Sequence, residues 1–507
     1  MITAGSRRWW ALGAIILSVL TIGFDATILN VALPTLATAL DASTGSLQWM
    51  VDAYVLVFAG LLLPMGALGD RYGRKRLLLI GLTLFGAASV LATYAGSTGP
   101  LIAARAVMGI GAAILTPISL AIIPVIFPPV ERAKAVAFSA MALGLGVPLG
   151  PIVGGYLLQH FWWGSVFLVN VPVAAVALLA VGLLVPESKD PAPRPVDLPG
   201  GVLSTAGLVG FVYGVIEAPS RGWGDPLVLA TIGAGLILLA GFVWWERRAS
   251  APMIDLPLFG RPRFLWGTLA MTATSFALFG LLFVLPQYLQ AVRGSDALGA
   301  GVRLLPLMAG LIVGARAGEA VTTRFGARIP VAVGMFVVGA GLALGATTGV
   351  GSGYGFVATW LTIIGLGVGL ALTPAMNSVL GELPEARTGS GTAMTMTLRQ
   401  VGAALGVALL GSISAAEYTR RLDVHGLPAP VATAARDSIA GAVAVAARLG
   451  NPALLAGARG AYLDAMDVVL GVCAAIAIAG GVLVAVFLPA TAPTPEGESA
   501  REYSGVA

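Results

Sequence analysis

The chain is written as a succession of apolar runs, each about as long as a bilayer is thick, parted by short polar breaks. A membrane-crossing helix needs about 20 predominantly apolar residues, and in lipid such a run satisfies its backbone only by coiling. Fourteen stretches meet the length rule. The first six are Trp9–Val31, Leu47–Leu68, Leu77–Ala95, Leu101–Phe127, Ala135–Leu158 and Trp163–Val185. Two more follow, Gly200–Ile216 and Leu227–Trp245. The last six are Phe264–Leu289, Gly299–Ala320, Pro330–Thr348, Tyr354–Ser378, Gly389–Ile413 and Met466–Leu488. Charged residues are only 10% of the 507, against roughly 25% in soluble domains, so the chain is built for lipid. The 68 glycines and 31 prolines then fit closely packed and broken membrane helices rather than disorder.

The runs group as six, two and six. This predicts an N-terminal six-helix bundle over 9–185, a linker with two extra helices over 186–263, a second six-helix bundle over 264–489 and a tail over 490–507. Residues 414–465 read as one long outer loop carrying a surface helix near Ser438–Ala447. The short loops on one side hold only Arg221 and Arg293, so the positive-inside rule puts both termini in the cytoplasm. Arg7-Arg8 and the run after them read as an uncleaved first helix, since the cleavage-like Ala37-Thr38-Ala39 lies well past its end.

Several functions are excluded or left without support. No lysine is followed by Ser or Thr, so there is no P-loop. Two histidines and a lone Cys473 offer neither a metal site nor an intrachain disulfide. The formal charge of +5 is scattered over loops and does not form a nucleic-acid stripe. Nothing proposes an enzyme.

The break between the second and third runs carries the most information: Gly66-Ala67-Leu68-Gly69-Asp70-Arg71-Tyr72-Gly73-Arg74-Lys75-Arg76. A fainter copy, Thr323-Arg324-Phe325-Gly326-Ala327-Arg328, follows the tenth run and suggests two related halves. Leu101 to Pro117 contains Arg105 and Gly109, and the fifth run contains Gly146-Val147-Pro148-Leu149-Gly150-Pro151-Ile152-Val153-Gly154-Gly155. Phe24-Asp25-Ala26-Thr27 in the first run and Trp49-Met50-Val51-Asp52 in the second each place an acid in apolar surroundings.

Together these stretches resemble the fourteen-helix drug:proton antiporters of the major facilitator superfamily, over nearly the whole chain. The resemblance implies an all-α integral membrane protein of the major facilitator fold, two six-helix halves plus two inserted central helices. It implies a proton-coupled antiporter that exports hydrophobic or cationic drugs or antibiotics across the bacterial cytoplasmic membrane by alternating access. Its only energy source would be the proton motive force, with no cofactor and no metal. Its partners would be small substrates, protons and lipid, and it would act as a monomer. By the same resemblance Gly66, Asp70, Arg71, Gly73 and Arg74 form a conformational latch, with Arg387 a distant member. Gly146, Gly150, Pro151, Gly154 and Gly155 form the antiporter motif, and Arg105 takes part in proton coupling. An importer of a small metabolite has the same fold, but that motif favours export. A membrane sensor or assembly protein would usually need a soluble signalling domain, and the tail after Leu488 is short.

Depth along the helices supports a site independently. At ~1.5 Å per residue, Asp25, Asp52 and Arg105 reach similar levels in one half of the membrane, where two acids and a guanidinium must pair or face water. They are the expected proton-coupling and substrate cluster. Arg316 and Glu319, three apart on one helix face, are expected to pair in a structural or gating role. Arg399 is a cavity candidate, able to meet an anion.

Overall fold

In the computed structural model residues 4–190, 197–249, 252–254, 256–383 and 388–489 are described. At some helical positions, 139–148 and 388–390 among them, only the backbone is described. Arg387 and the tail 490–507 lie outside the described residues.

The first six runs become α1 (Ala4–Ala39), α2 (Thr44–Tyr72), α3 (Arg74–Thr93), α4 (Thr98–Ile126), α5 (Pro129–His160) and the broken pair α6 (Ser165–Leu168) and α7 (Asn170–Leu184). The inserted pair is α8 (Leu198–Arg221) and α9 (Pro226–Glu246). The second half begins with α10 (Pro262–Gln287), which runs on into a π-helical turn, Tyr288–Val292. It continues through α11 (Ala297–Val302), α12 (Leu305–Phe325), α13 (Arg328–Gly345), α14 (Tyr354–Leu380) and α15 (Thr388–Arg421). Then come α16 (Ala429–Asp437), α17 (Ile439–Leu449) and α18 (Pro452–Phe487). Thirteen helical segments among the described residues are long and apolar enough to cross a bilayer. The 32-residue α5 is a further helix of spanning length.

The helices outrun their apolar stretches. α15 continues past Ile413 to Arg421 because Glu417 pairs with both Arg420 and Arg421 one turn on, at 2.6 and 2.5 Å. Hydropathy ends where polar residues begin, whereas a helix ends where its hydrogen bonding does. The stretch 414–465, expected as a long loop with one surface helix near Ser438–Ala447, is mostly helical, and α17 lies where that surface helix was expected. Its α17 is capped by Ser438, whose Oγ accepts from the Gly441 N–H, and buries Ala442. Thr44 Oγ1 donates to Asp437 O at 2.9 Å and Tyr418 donates to Ala435 O at 3.0 Å, fixing α16 over the end of the bundle.

The two related turns share a geometry. Gly73 and Gly326 sit at φ of +116° and +76°, a region that favours glycine, and each ends one helix just before the next begins. We call the end of the bundle that carries these turns the basic end, and the other the far end.

Among the described residues, the side-chain hydrogen bonds that join the two halves lie toward the far end. Gln48 Nε2 donates to Val407 O and Ala408 O of α15 at 3.1 and 2.8 Å. Gln290 Nε2 donates to Val31 O at 2.8 Å, and Gln159 Nε2 to Asp296 Oδ2 at 3.1 Å. Gly155 packs so tightly on α11 that a β-carbon there would lie 2.6 Å from Ala297 O. One at Gly301 would lie 2.2 Å from Pro151 O. The far end is closed by close backbone packing.

Candidate functional site

The α4 guanidinium is bound from two sides. Arg105 Nη1 donates to Asp25 Oδ2 of α1 at 2.5 Å, and Arg105 Nε to Met50 O of α2 at 2.9 Å. The ring of Tyr54, one turn beyond Met50, lies 4.3 Å from the guanidinium carbon. The other oxygen of Asp25 accepts from Asn170 Nδ2 at 3.1 Å. Asp25 is 0% exposed and Arg105 1%, so the pair is dry. An isolated charge there is costly, and the pair persists because each charge finds its partner and further hydrogen bonds.

Asp52 is not a member of this cluster, contrary to the sequence expectation. Met50, Tyr54 and Val57 face α4: Arg105 reaches the first two, and a β-carbon at Gly109 would meet Tyr54 O and Val57. Asp52 is two residues from Met50 and from Tyr54, so it projects about 200° away around α2. It shares a face instead with Gln48, which contacts α15. Depth along a helix was readable from spacing, whereas direction around it required the neighbours. Both carboxylate oxygens of Asp52 are buried with no hydrogen-bond partner among the described residues.

The glycines of α5 hold two surfaces at once. A β-carbon at Gly150 would lie 2.2 Å from Thr27 Oγ1 and 2.8 Å from Phe24 O, and one at Gly154 2.6 Å from Ile28 Cγ1. That stripe grips α1 at the level of Asp25. The neighbouring stripe, Pro151 and Gly155, meets α11 of the other half. At Gly146 only the backbone trace of α5 is described.

At the basic end, Asp70 pairs within its own turn, with Arg74 Nη2 at 2.8 Å. Arg71 is exposed, its guanidinium 5.6 Å from the Tyr72 ring. Asp70 and Arg74 tie to the segment after α7 through their backbones, Asp70 O accepting from the Asp190 N–H and the Arg74 N–H donating to Ser188 O, both at 2.9 Å. Residues the sequence did not single out add side-chain ties. Glu187 accepts from the N–H groups of Lys75 and Arg76 at 3.1 and 3.2 Å, where the start of α3 attracts an anion. Its carboxylate occupies the space a β-carbon at Gly73 would need, with Oε1 2.8 Å from that position. Lys75 Nζ donates to Gly182 O in the last turn of α7 at 2.6 Å. Gly66 and Gly69 admit Pro117 and Ile118 of α4.

Arg316 and Glu319 approach to 3.9 Å and are 85% and 59% exposed on α12. The pair lies near the basic end of its spanning helix, where charged side chains reach water, a cavity or the interface rather than the lipid core. Arg399 is half-buried on α15, with Nη1 3.8 Å from Met396 Sδ. Asn170, Gln48 and Glu187 were missed in sequence: Gln48 opens the second run and Glu187 follows the sixth, where polar residues are unremarkable, and Asn170 lies inside the sixth run.

The family model described as Major Facilitator Superfamily matches residues 15–407. The chain is 37% identical to the multidrug efflux pump LfrA of Mycolicibacterium smegmatis, over 95% of this chain and 96% of that protein. It is 36% identical to the puromycin resistance protein pur8 of Streptomyces alboniger, over 84% and 86% of the two chains. Among solved structures, a bacterial homologue of the human lysosomal transporter Spinster, inward-facing and unoccupied, superposes with a TM-score of 0.68 at 19% identity. That match covers 96% of this chain and 99% of the other.

Proposed function

Since the chain belongs to the major facilitator superfamily, we propose that it exports hydrophobic or cationic compounds across the bacterial cytoplasmic membrane in exchange for protons. Relatives named for multidrug efflux and antibiotic resistance support export. The observation that carries proton coupling is Asp25, a buried carboxylate held by Arg105 and Asn170 from two other helices, on a helix gripped by α5. Protonating Asp25 would remove the charge that Arg105 balances, and the α1–α4 contact would weaken. Asp52, buried and without a hydrogen-bond partner among the described residues, offers a second carboxylate that a proton or a substrate cation can neutralise.

With the basic end placed in the cytoplasm by the positive-inside rule, the closed far end makes this the inward-facing arrangement. The cycle then runs by rocking of the halves. Protons entering from outside neutralise the acids and release substrate, and deprotonation inside restores binding. The exposed Arg316–Glu319 pair is assigned to the water-filled path between the halves, as a gate.

The test is proton-gradient-driven uptake of a cationic dye into inverted membrane vesicles, comparing wild type with Asp25→Asn and Asp52→Asn. Asp25→Asn should abolish gradient-driven uptake while the protein remains inserted and folded. Wild-type uptake that persists after the gradient is collapsed by an uncoupler would refute proton coupling.

A further inference from the structure

The inserted helices border a half-open cavity of about 370 Å³ against the seam between the halves. Its walls include Leu63 of α2, Phe211 of α8, Phe242 of α9 and Val401 of α15, with Ile254 below them. Both halves and the insertion therefore contribute. Ile254 is held in place by its N–H, which donates to Glu246 Oε2 at 2.9 Å. Ala59, also in the lining, shares the α2 face of Asp52 and lies two turns, about 10 Å, nearer the basic end. Asp52 itself does not reach the lining, and no charged side chain lines the cavity among the described residues.

Two hydroxyl-bearing residues do. Ser204 Oγ is committed to Gly201 O at 3.2 Å. Thr397 lines the cavity, and its Oγ1, shielded from the open space in this rotamer, has no partner among the described residues; a switch to the other χ1 rotamer open to threonine in a helix would present it to a ligand. The volume lies within the range of sites for drug-sized molecules. A two-chain phospholipid is too large for it, and its headgroup would find no charge in the lining.

We propose that this cavity is a second ligand site, separate from Asp25 and Arg105. It takes an uncharged lipophilic molecule of drug size, drawn from the bilayer, with one hydrogen-bonding group directed at Thr397 Oγ1. The assignment concerns binding and holds whether or not transport is proton-coupled.

The experiment titrates the full-length protein in nanodiscs with N-phenyl-1-naphthylamine, a neutral lipophilic fluorophore carrying one N–H, against protein-free nanodiscs. Saturable binding is expected for wild type. Ser204→Leu, which fills the cavity, should raise Kd by about tenfold or more. Thr397→Val keeps the shape and removes the hydroxyl, so Kd should rise about three- to tenfold. Thermal unfolding of both variants establishes that they are folded. Binding no greater than in empty nanodiscs would overturn the site, as would wild-type affinity in both folded variants. Equal affinity for a permanently cationic analogue would overturn the assignment to uncharged ligands. A phospholipid retained by wild type and lost from Ser204→Leu, read by native mass spectrometry, would overturn the occupant.

Discussion

The two halves repeat one scaffold but divide its chemistry unequally. Aligning Asp70-Arg71-Tyr72-Gly73-Arg74-Lys75 with Thr323-Arg324-Phe325-Gly326-Ala327-Arg328 pairs Lys75 with Arg328. Lys75 donates to Gly182 O in the last turn of α7, and Arg328 Nε donates to Ala485 O in the last turn of α18 at 2.6 Å. The same cation thus ties the same pair of helices in each half. The ion pair does not repeat: Asp70 and Arg74 correspond to Thr323 and Ala327, and Thr323 Oγ1 turns back to Ala320 O. Burial follows the same division. Asp25, Asp52 and Arg105 are the fully buried charges of the first half, while among the described residues the second half buries only Arg263, at 8% exposure. The shared ties belong to the repeated scaffold, and the buried charges of the first half are what the second half does not share.

That division can be broken most severely at Arg105. Arg105→Met leaves Asp25 buried beside Asn170 alone, a loss of about 3–5 kcal/mol by the usual cost of orphaning a buried charge. Thermal unfolding of the purified protein should show it, with dye efflux at background. A second break lies between the halves: Gly155→Val places side-chain atoms against the backbone of α11. Overpacking of this kind costs about 1–3 kcal/mol, and here the strain is relieved by opening the far end. Accessibility of a cysteine introduced at Gln290 to a membrane-impermeant thiol reagent should rise.

The turns give the finer tests. Glu187→Gln weakens two bonds to the start of α3, and Thr323→Val removes only a bond within its own helix. The first should lower the unfolding temperature measurably, about 1–2 kcal/mol by the net worth of such bonds, and the second should stay within about 0.5 kcal/mol. The smallest effect comes from completing the repeat. Thr323→Asp with Ala327→Arg should add an i,i+4 pair worth about 0.3–0.5 kcal/mol, abolished by high salt. A gain that survives salt would mean the turn had gained something other than an ion pair.

Much of this was legible in the chain. The spans followed from run length, and the Asp25–Arg105 partnership from two charges at matching depth in lipid. What stayed hidden was azimuth and reach. Asp52 shares the depth of Arg105 but faces another helix, because about 100° per residue turns it toward Gln48 and α15. Asn170 stands at a break between α6 and α7 inside one unbroken apolar run, where hydropathy has no feature to report. Over 414–465 the surface helix expected near Ser438–Ala447 coincides with α17, whereas the nine-residue α16 and the extensions of α15 and α18 carry too many polar residues for a length rule tuned to lipid to include them.

The two stripes of α5 have a mechanical consequence. Gly150 and Pro151 are adjacent, so the grip on α1 and the grip on α11 sit at nearly one height, separated by about 100° around a single cylinder. Tilting that cylinder would lift both grips together, while turning it about its own axis would slide both sideways. α5 therefore works as an axle between the acid on α1 and the neighbouring half. A movement of Asp25's helix by a fraction of an ångström has no slack to absorb it before it arrives at the seam.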